Sequence, residues 1–349
     1  MNTFFNTVHI TNFKSLKDVT LSDCKRINLL IGKPNVGKSN ILEAIDLFSL
    51  PYFLKYNKNK RISQFVRLEN ITELFFDGNI NEKIIISTND NSLCSVGYLE
   101  NDGLCQFNIS LKNRDGEKYD KYDIRAGGIR NLVLNKKGNY VKNYPLPSRV
   151  NYYKFHQAVE KSGDTFDAIS LMPPSGFNLF TVVQYNERLR NELSALFSEY
   201  GLKLVFDKAS HSLRIMKEIK KDADDIFLLP YNSIADTLQR VIFYKAAIAS
   251  NKDSIILFEE PEAHCFPPYI RHITQEIINS ESNQFFIATH SPYVLNDFLE
   301  YQRDDVAIFI ADFKDGQTVI KRLTDSEVND VYGYGIDLFF NSELFTDEI

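Results

Sequence analysis

The sequence predicts an α/β fold with a mixed, largely parallel central sheet, and three observations carry that expectation. A short, mostly apolar run at Arg26–Ile31 ends at a glycine, and helical periodicity follows over Asn40–Leu50, with Ile41, Leu42, Ile45 and Phe48 on one side. Two further apolar runs, Ser254–Phe258 and Gln284–Ala288, alternate with helical segments at Pro267–Asn279 and Tyr293–Leu299. Unbroken apolar strands that alternate with helices are what a parallel sheet covered on both faces requires.

The remaining elements are read in order. Residues 5–12 and 17–22 alternate as two strands joined near Phe13–Leu16. Residues 52–150 hold β-like pieces at 83–88 and 103–110, separated by polar turns that include Arg114–Gly116 and Ala126–Gly128, and read as a β-rich lobe. Residues 151–180 are rich in aromatics and broken by Pro-Pro-Ser-Gly at 173–176. Tyr185–Tyr200 reads as a helix, Leu202–Asp207 with Ser212–Lys217 as a hairpin, Ile234–Ala249 as an amphipathic helix, and Val306–Ala311 as one more strand. No internal repeat or long heptad run is present.

Composition sets bounds. The chain has 349 residues and a formal net charge of −6, so global attraction to nucleic acid is not expected, although a local basic face would be compatible with it. No run is long enough to span a bilayer and the first residues lack a signal-peptide layout, which leads us to expect a cytoplasmic protein with no membrane partner. Cys24, Cys94, Cys105 and Cys265 show no paired spacing and are expected as reduced thiols.

Three motifs carry the chemistry. Gly32-Lys33-Pro34-Asn35-Val36-Gly37-Lys38-Ser39 fits the phosphate-loop pattern between a strand and a helix. Glycines let successive backbone N–H groups turn inward around phosphates, and the following helix, through Asn40, directs its N-terminal dipole at the same charge. Lys38 is then placed for the β- and γ-phosphates of ATP, and the Ser39 hydroxyl for Mg2+. The run Ser254–His264 ends an apolar strand in Glu259 and Glu260: Glu259 is the expected second metal ligand and Glu260 the expected general base for a water. Strand Gln284–Ala288 ends in Thr289-His290-Ser291-Pro292, which places His290 to bond a γ-phosphate oxygen.

Taken together, His9–Leu21, Ile31–Ile45, Ile255–Ile270 and Phe285–Leu295 resemble the N-terminal strands, Walker A, Walker B and His switch of the RecF/SMC-like ABC-type P-loop ATPases. The chain is similar to the ATPase domain of OLD-family proteins and to ATPases of Septu-type and retron-associated antiphage systems. That resemblance implies an ATPase core formed by 1–50 plus 225–349, a β-rich lobe at 51–150, and an inserted helix-hairpin region at 151–224 as the contact for a partner or nucleic acid. It further implies a homodimer in which two heads sandwich ATP. The segment matching the family signature is Tyr231–Arg240, where Ala235, Asp236 and Thr237 stand in place of the usual Ser-x-Gly core and Gln239 and Arg240 are the expected supplementary donors. Glu259 departs from the aspartate of many relatives. Arg67, near Gln64, reads equally as a phosphate-facing arginine or a solvated loop charge, and Phe13 and Lys14 as candidates for the base or ribose.

The 59 residues after His290 carry no Asp-x-Asp of a metal nuclease, and Asp304, Asp305 and Asp312 read as turn acids. No intrinsic nuclease is therefore expected. The span of 221 positions from Lys38 to Glu259 argues against a transporter ATPase. The expected activity is slow ATP hydrolysis that controls a separately encoded effector, a nuclease or toxin, in antiphage defence. The alternatives are a RecF-like DNA repair or recombination ATPase and a nucleotide-stabilised scaffold.

Overall fold

A computed structural model of the chain describes residues 4–56, 61–99, 103–111, 132–143, 148–157, 169–217 and 227–345. The turns expected at Arg114–Gly116 and Ala126–Gly128 lie outside them. The chain divides into two compact units: residues 1–152, 253–260 and 281–349 form the first, and residues 153–252 and 261–280 the second.

The first unit holds a six-stranded sheet in the order Gln317–Arg322, Val306–Lys314, Ile27–Ile31, Gln284–Ala288, Ile255–Glu259, Val150–Tyr153. Val306–Lys314, Ile27–Ile31, Gln284–Ala288 and Ile255–Glu259 run parallel, and Gln317–Arg322 closes one edge antiparallel. The sheet is thus mixed, as expected, and its central strands are buried along nearly their whole length. Asn28 sits within the apolar strand Ile27–Ile31 because its amide donates to the carbonyl oxygens of Lys25 and Phe285 (2.8 and 2.9 Å) and accepts from the Lys25 N–H; a buried amide is tolerated when its bonds are made. Gln284 is fully buried for the same reason, accepting from the Phe5 N–H and donating to the Phe5 and Lys25 carbonyls.

The N-terminal hairpin, Val8–Phe13 and Leu16–Leu21, does not join that sheet. It heads a second, antiparallel sheet of seven strands that continues through Ile84–Thr88, Leu93–Leu99, Leu104–Ser110, Leu132–Asn135 and Tyr140–Asn143. Alternation explains the pairing: Val8, Ile10, Ile84, Ile86, Cys94, Val96, Cys105 and Phe107 all turn inward. Burial pushes the Cys24 and Cys105 thiols up to about 12, so both pack as small apolar groups.

The C-terminal residues hold more order than their sequence declared. Asp312 lies inside strand Val306–Lys314 rather than at a turn, and Asp305 accepts from Arg26 at 3.0 Å. A helix at Asp325–Tyr334 begins with a capping box between Thr324 and Glu327 and ends at Gly335 in the left-handed region.

The second unit packs helices Leu179–Tyr185, Glu187–Ser198, Asp236–Ser250 and Pro267–Asn279 with a three-stranded antiparallel sheet, Leu202–Asp207, Ser212–Lys217 and Phe227–Pro230. Lys245, nearly buried, pairs with Glu276 at 2.7 Å and Glu192 at 2.8 Å and ties three of the helices together. No described helix is long and apolar enough to cross a membrane.

Candidate functional site

The phosphate loop leaves the middle of the six-stranded sheet, from a strand flanked on both sides by parallel neighbours. Its glycines are required by space as well as by conformation. At Gly32 (φ 156°) a β-carbon would lie 2.2 Å from the Ala311 carbonyl oxygen, and at Gly37 (φ 100°) 2.1 Å from Thr318 Oγ1. Asn35 adopts the left-handed region, which asparagine tolerates, and Val36 is buried against Gly32. Helix Lys38–Asp46 starts directly after Gly37, so its first N–H groups, Asn40 among them, point back toward the loop. The Asn40 side chain donates to Ser15 Oγ at 2.8 Å, and Ser15 Oγ pairs with Thr318 Oγ1 at 2.6 Å.

Lys38 is nearly buried and turns back to donate to the Gly32 and Lys33 carbonyl oxygens, both at 2.7 Å. Burial pushes its ammonium down to about 8, although Glu260 and Glu259 pull the other way. A cation taken out of water and held only by neutral carbonyls gains from a facing anion.

The pairing of Glu259 with Ala288, and of Ala288 with Leu30, brings the carboxyl ends of three parallel strands level beside this loop. Ser39 Oγ donates to Glu259 Oε1. This pair of hard oxygen donors fits a Mg2+ ion. The next residue, Glu260, has a left-handed backbone (φ 45°), and its N–H donates to the Ala288 carbonyl at 2.8 Å. That turn carries its carboxylate off the strand line to 3.5 Å from His290 Nε2. Burial lowers the imidazole of His290 below its ordinary range, Lys38 acts in the same direction and Glu260 opposes them, so His290 is neutral at pH 7.

Several neighbours of Glu259 carry no motif. Tyr152 is fully buried and donates to Glu259 Oε2 at 2.8 Å, and burial, reinforced by Glu259, holds its phenol well above the usual range and therefore protonated. Arg67 Nη2 lies 3.1 Å from Glu259 Oε1 while its Nε donates at 3.0 Å to Glu43, which is fully buried. Glu43 also pairs with Lys14, whose ammonium reaches the Arg67 carbonyl at 2.7 Å. Arg67 is thus neither a free loop charge nor turned solely to solvent. Gln64 closes a single turn at Ile62–Gln64 three residues earlier. Phe13, expected near a base, is sealed in the core with the Lys14 ammonium 5.8 Å from its ring centre.

The segment Tyr231–Arg240 belongs to the second unit. Ala235 is exposed at the start of helix Asp236–Ser250, and Asp236 and Thr237 are half-buried. Gln239 is placed differently from its expected role: it is fully buried and donates to the Ile234 carbonyl at 2.9 Å, because the apolar stripe of the helix includes its position. Arg240 Nε pairs with Asp236 at 2.8 Å, and its guanidinium lies 4.5 Å from the Phe155 ring centre.

Comparison with known proteins supplies the context. A family described as "AAA ATPase domain" matches residues 4–170, and one described as "AAA domain, putative AbiEii toxin, Type IV TA system" matches residues 130–296. The DNA replication and repair protein RecF of Caldanaerobacter subterraneus is 30% identical over 108 residues, 28% of this chain and 30% of that protein. An ATP/GTP phosphatase of Helicobacter pylori is 21% identical over 97% of this chain and 98% of its own length. An uncharacterized protein of Methanocaldococcus jannaschii matches over 42 residues, so the chain spans only 19% of that relative and less than a third of RecF. Among solved structures, the SMC head bound to the C-winged helix domain of ScpA superposes with a TM-score of 0.51 at 17% identity, covering 93% of this chain and 99% of that one, a likeness of fold.

Proposed function

We propose that this chain, an ABC-type P-loop ATPase of the RecF/SMC-like class, hydrolyses Mg·ATP at Gly32–Ser39 with Glu260 as general base, and that two copies close on the nucleotide. The observation that carries the reading is the contact between Ser39 and Glu259, two strands apart in the sheet, with Glu260 and His290 paired next to it. The N–H groups of Asn35, Val36, Gly37, Lys38, Ser39 and Asn40 would cradle the phosphates. Lys38 would exchange its loop carbonyls for the β- and γ-phosphate oxygens. Ser39 and Glu259 would hold a Mg2+ ion, which would supply charge neutralisation to the phosphates. Glu260 takes the proton of a water whose oxygen bonds to the γ-phosphorus, while the bond to the β,γ-bridging oxygen breaks and ADP leaves. Neutral His290, 3.5 Å from Glu260, donates to the γ-phosphate and senses its loss.

In this reading nucleotide handling rests on 1–50 plus 225–349, 51–150 is an accessory lobe, and 151–224 meets a partner or nucleic acid. From the partner copy, Ala235, Asp236 and Arg240 would approach the γ-phosphate; the burial of Gln239 leaves it a supporting place in that segment. The closed dimer would control a separately encoded nuclease or toxin in antiphage defence; the family matched over 130–296 is described as a putative AbiEii toxin of a Type IV TA system. A second reading, a DNA repair or recombination ATPase, is supported by the RecF match and requires salt-sensitive DNA binding.

Glu260→Gln tests the proposal. We expect ATP binding to persist, hydrolysis to fall by about 10²–10⁴-fold, and an ATP-dependent dimer to accumulate in light scattering. Hydrolysis equal to wild type would remove Glu260 from the mechanism, and near-zero rates in both proteins would favour the scaffold.

A further inference from the structure

Glutamate at position 259 raises a physical problem that its surroundings answer. A glutamate has three side-chain torsions and loses more rotamer freedom on being fixed than a shorter acid does. A metal-binding carboxylate must nevertheless present one oxygen at a set place, since misplacement weakens the metal and the geometry of the reacting phosphate together. The two oxygens of Glu259 are divided between different partners. Oε1 faces Ser39 and Arg67, and Oε2 accepts from the Tyr152 hydroxyl at 2.8 Å.

Tyr152 is well placed to hold that division. It lies in Val150–Tyr153, a strand buried at every position that borders Ile255–Glu259 at the edge of the six-stranded sheet. The Ile255 N–H donates to the Arg149 carbonyl at 2.7 Å and fixes this strand against its neighbour. The phenol is therefore fully buried on a strand of the sheet, with its one proton directed at Glu259. Arg67 differs: its side chain is 60% exposed and it shares Oε1, the same oxygen that contacts Ser39. A cation arriving between Ser39 and Glu259 would compete with Arg67 and leave the Tyr152 bond intact.

We propose that Tyr152 is a positioning residue for the metal site: its hydroxyl anchors Glu259 Oε2 so that Oε1 is presented beside Ser39. The proposal rests on the reading of Ser39 and Glu259 as the metal ligands. Tyr152 acts through the orientation of Glu259. The shorter side chain of an aspartate at 259 would withdraw from Tyr152, so Tyr152 and the length of Glu259 form one device.

The test is Mn2+ binding followed by electron paramagnetic resonance in the presence of ATP, with binding of a fluorescent ATP analogue in EDTA as a second readout. The full chain is used as wild type, Tyr152→Phe, Glu259→Asp and the double variant. Tyr152→Phe is expected to weaken Mn2+ by about 10–100-fold, the usual effect of losing a group that orients a metal ligand, with analogue affinity in EDTA unchanged. Glu259→Asp leaves the buried tyrosine in place and is expected to weaken Mn2+ as well, and adding Tyr152→Phe to it should change Mn2+ affinity less than twofold. Unchanged Mn2+ affinity in Tyr152→Phe, tighter Mn2+ in Glu259→Asp, or effects that multiply in the double variant would each overturn the proposal. A wild type that binds nucleotide with no dependence on metal would overturn both the proposal and the site reading it rests on. Normal metal dependence with an indifferent Tyr152→Phe would remove Tyr152 alone.

Discussion

The strand ends around Glu259 and the helix start at Ala235–Arg240 are built on opposite principles. At Glu259, charged and polar side chains from Lys14, Glu43, Arg67 and Tyr152 converge from distant parts of the chain, and Glu43 and Tyr152 are fully buried. At Ala235–Arg240 the contacts are of mixed range and none converges on a buried acid: Gln239 returns to Ile234, Arg240 pairs with Asp236 one turn away and lies against the Phe155 ring, and Thr237 donates to the His264 carbonyl at 3.1 Å. The first arrangement fixes atoms in place, as a reacting site needs. The second leaves a half-exposed turn. The difference shows where buried polar contacts have been concentrated, on the acids beside the phosphate loop.

Two substitutions sharpen the contrast. The larger effect is expected from Glu43→Ala. Removing a fully buried acid takes the carboxylate away from Lys14, whose side chain is mostly buried, while Arg67 keeps Glu259, and leaving a buried charge unpaired costs on the order of 3–5 kcal/mol. The expected result is a clear drop in the urea midpoint of the first unit together with weaker metal binding. A stability loss below about 1 kcal/mol would mean that this cluster is not a fixed frame. The smaller effect is expected from Asp236→Ala, which removes a local pair with Arg240 and an acid from the first helical turn. Stability should change by less than about 1 kcal/mol. A larger loss in the monomer would show that this turn is a structural pin.

The same contrast explains what could be read in the residues. The phosphate loop, the Glu259–Glu260 pair and His290 each lie at the end of a short apolar strand, so local pattern suffices to place them in the sheet. The mixed sheet follows from those strands. Tyr152 gave no signal, since it stands 107 positions from Glu259 and its strand is only four residues long. Glu43 looks like an ordinary helix acid until the hairpin turn brings Lys14 beside it. The hairpin itself was legible as two strands, but not its place in the seven-stranded sheet: strand pairing across distances such as Val8 to Thr88 is decided by tertiary packing. Gln239 misled for the opposite reason, because a polar residue in an apolar stripe reads as a donor to a ligand, while the fold uses it to bind a backbone carbonyl.

The central claim is that Lys38, the glycine loop and the strand-end acids form one Mg·ATP site. Isothermal titration of Mg·ATP into the wild type and into Lys38→Ala tests it most directly. The wild type is expected to bind saturably, and the variant to lose about 100-fold or more in affinity, since a buried cation facing the phosphates is worth several kcal/mol. No measurable binding by the wild type, or equal affinity in the two proteins, would contradict it.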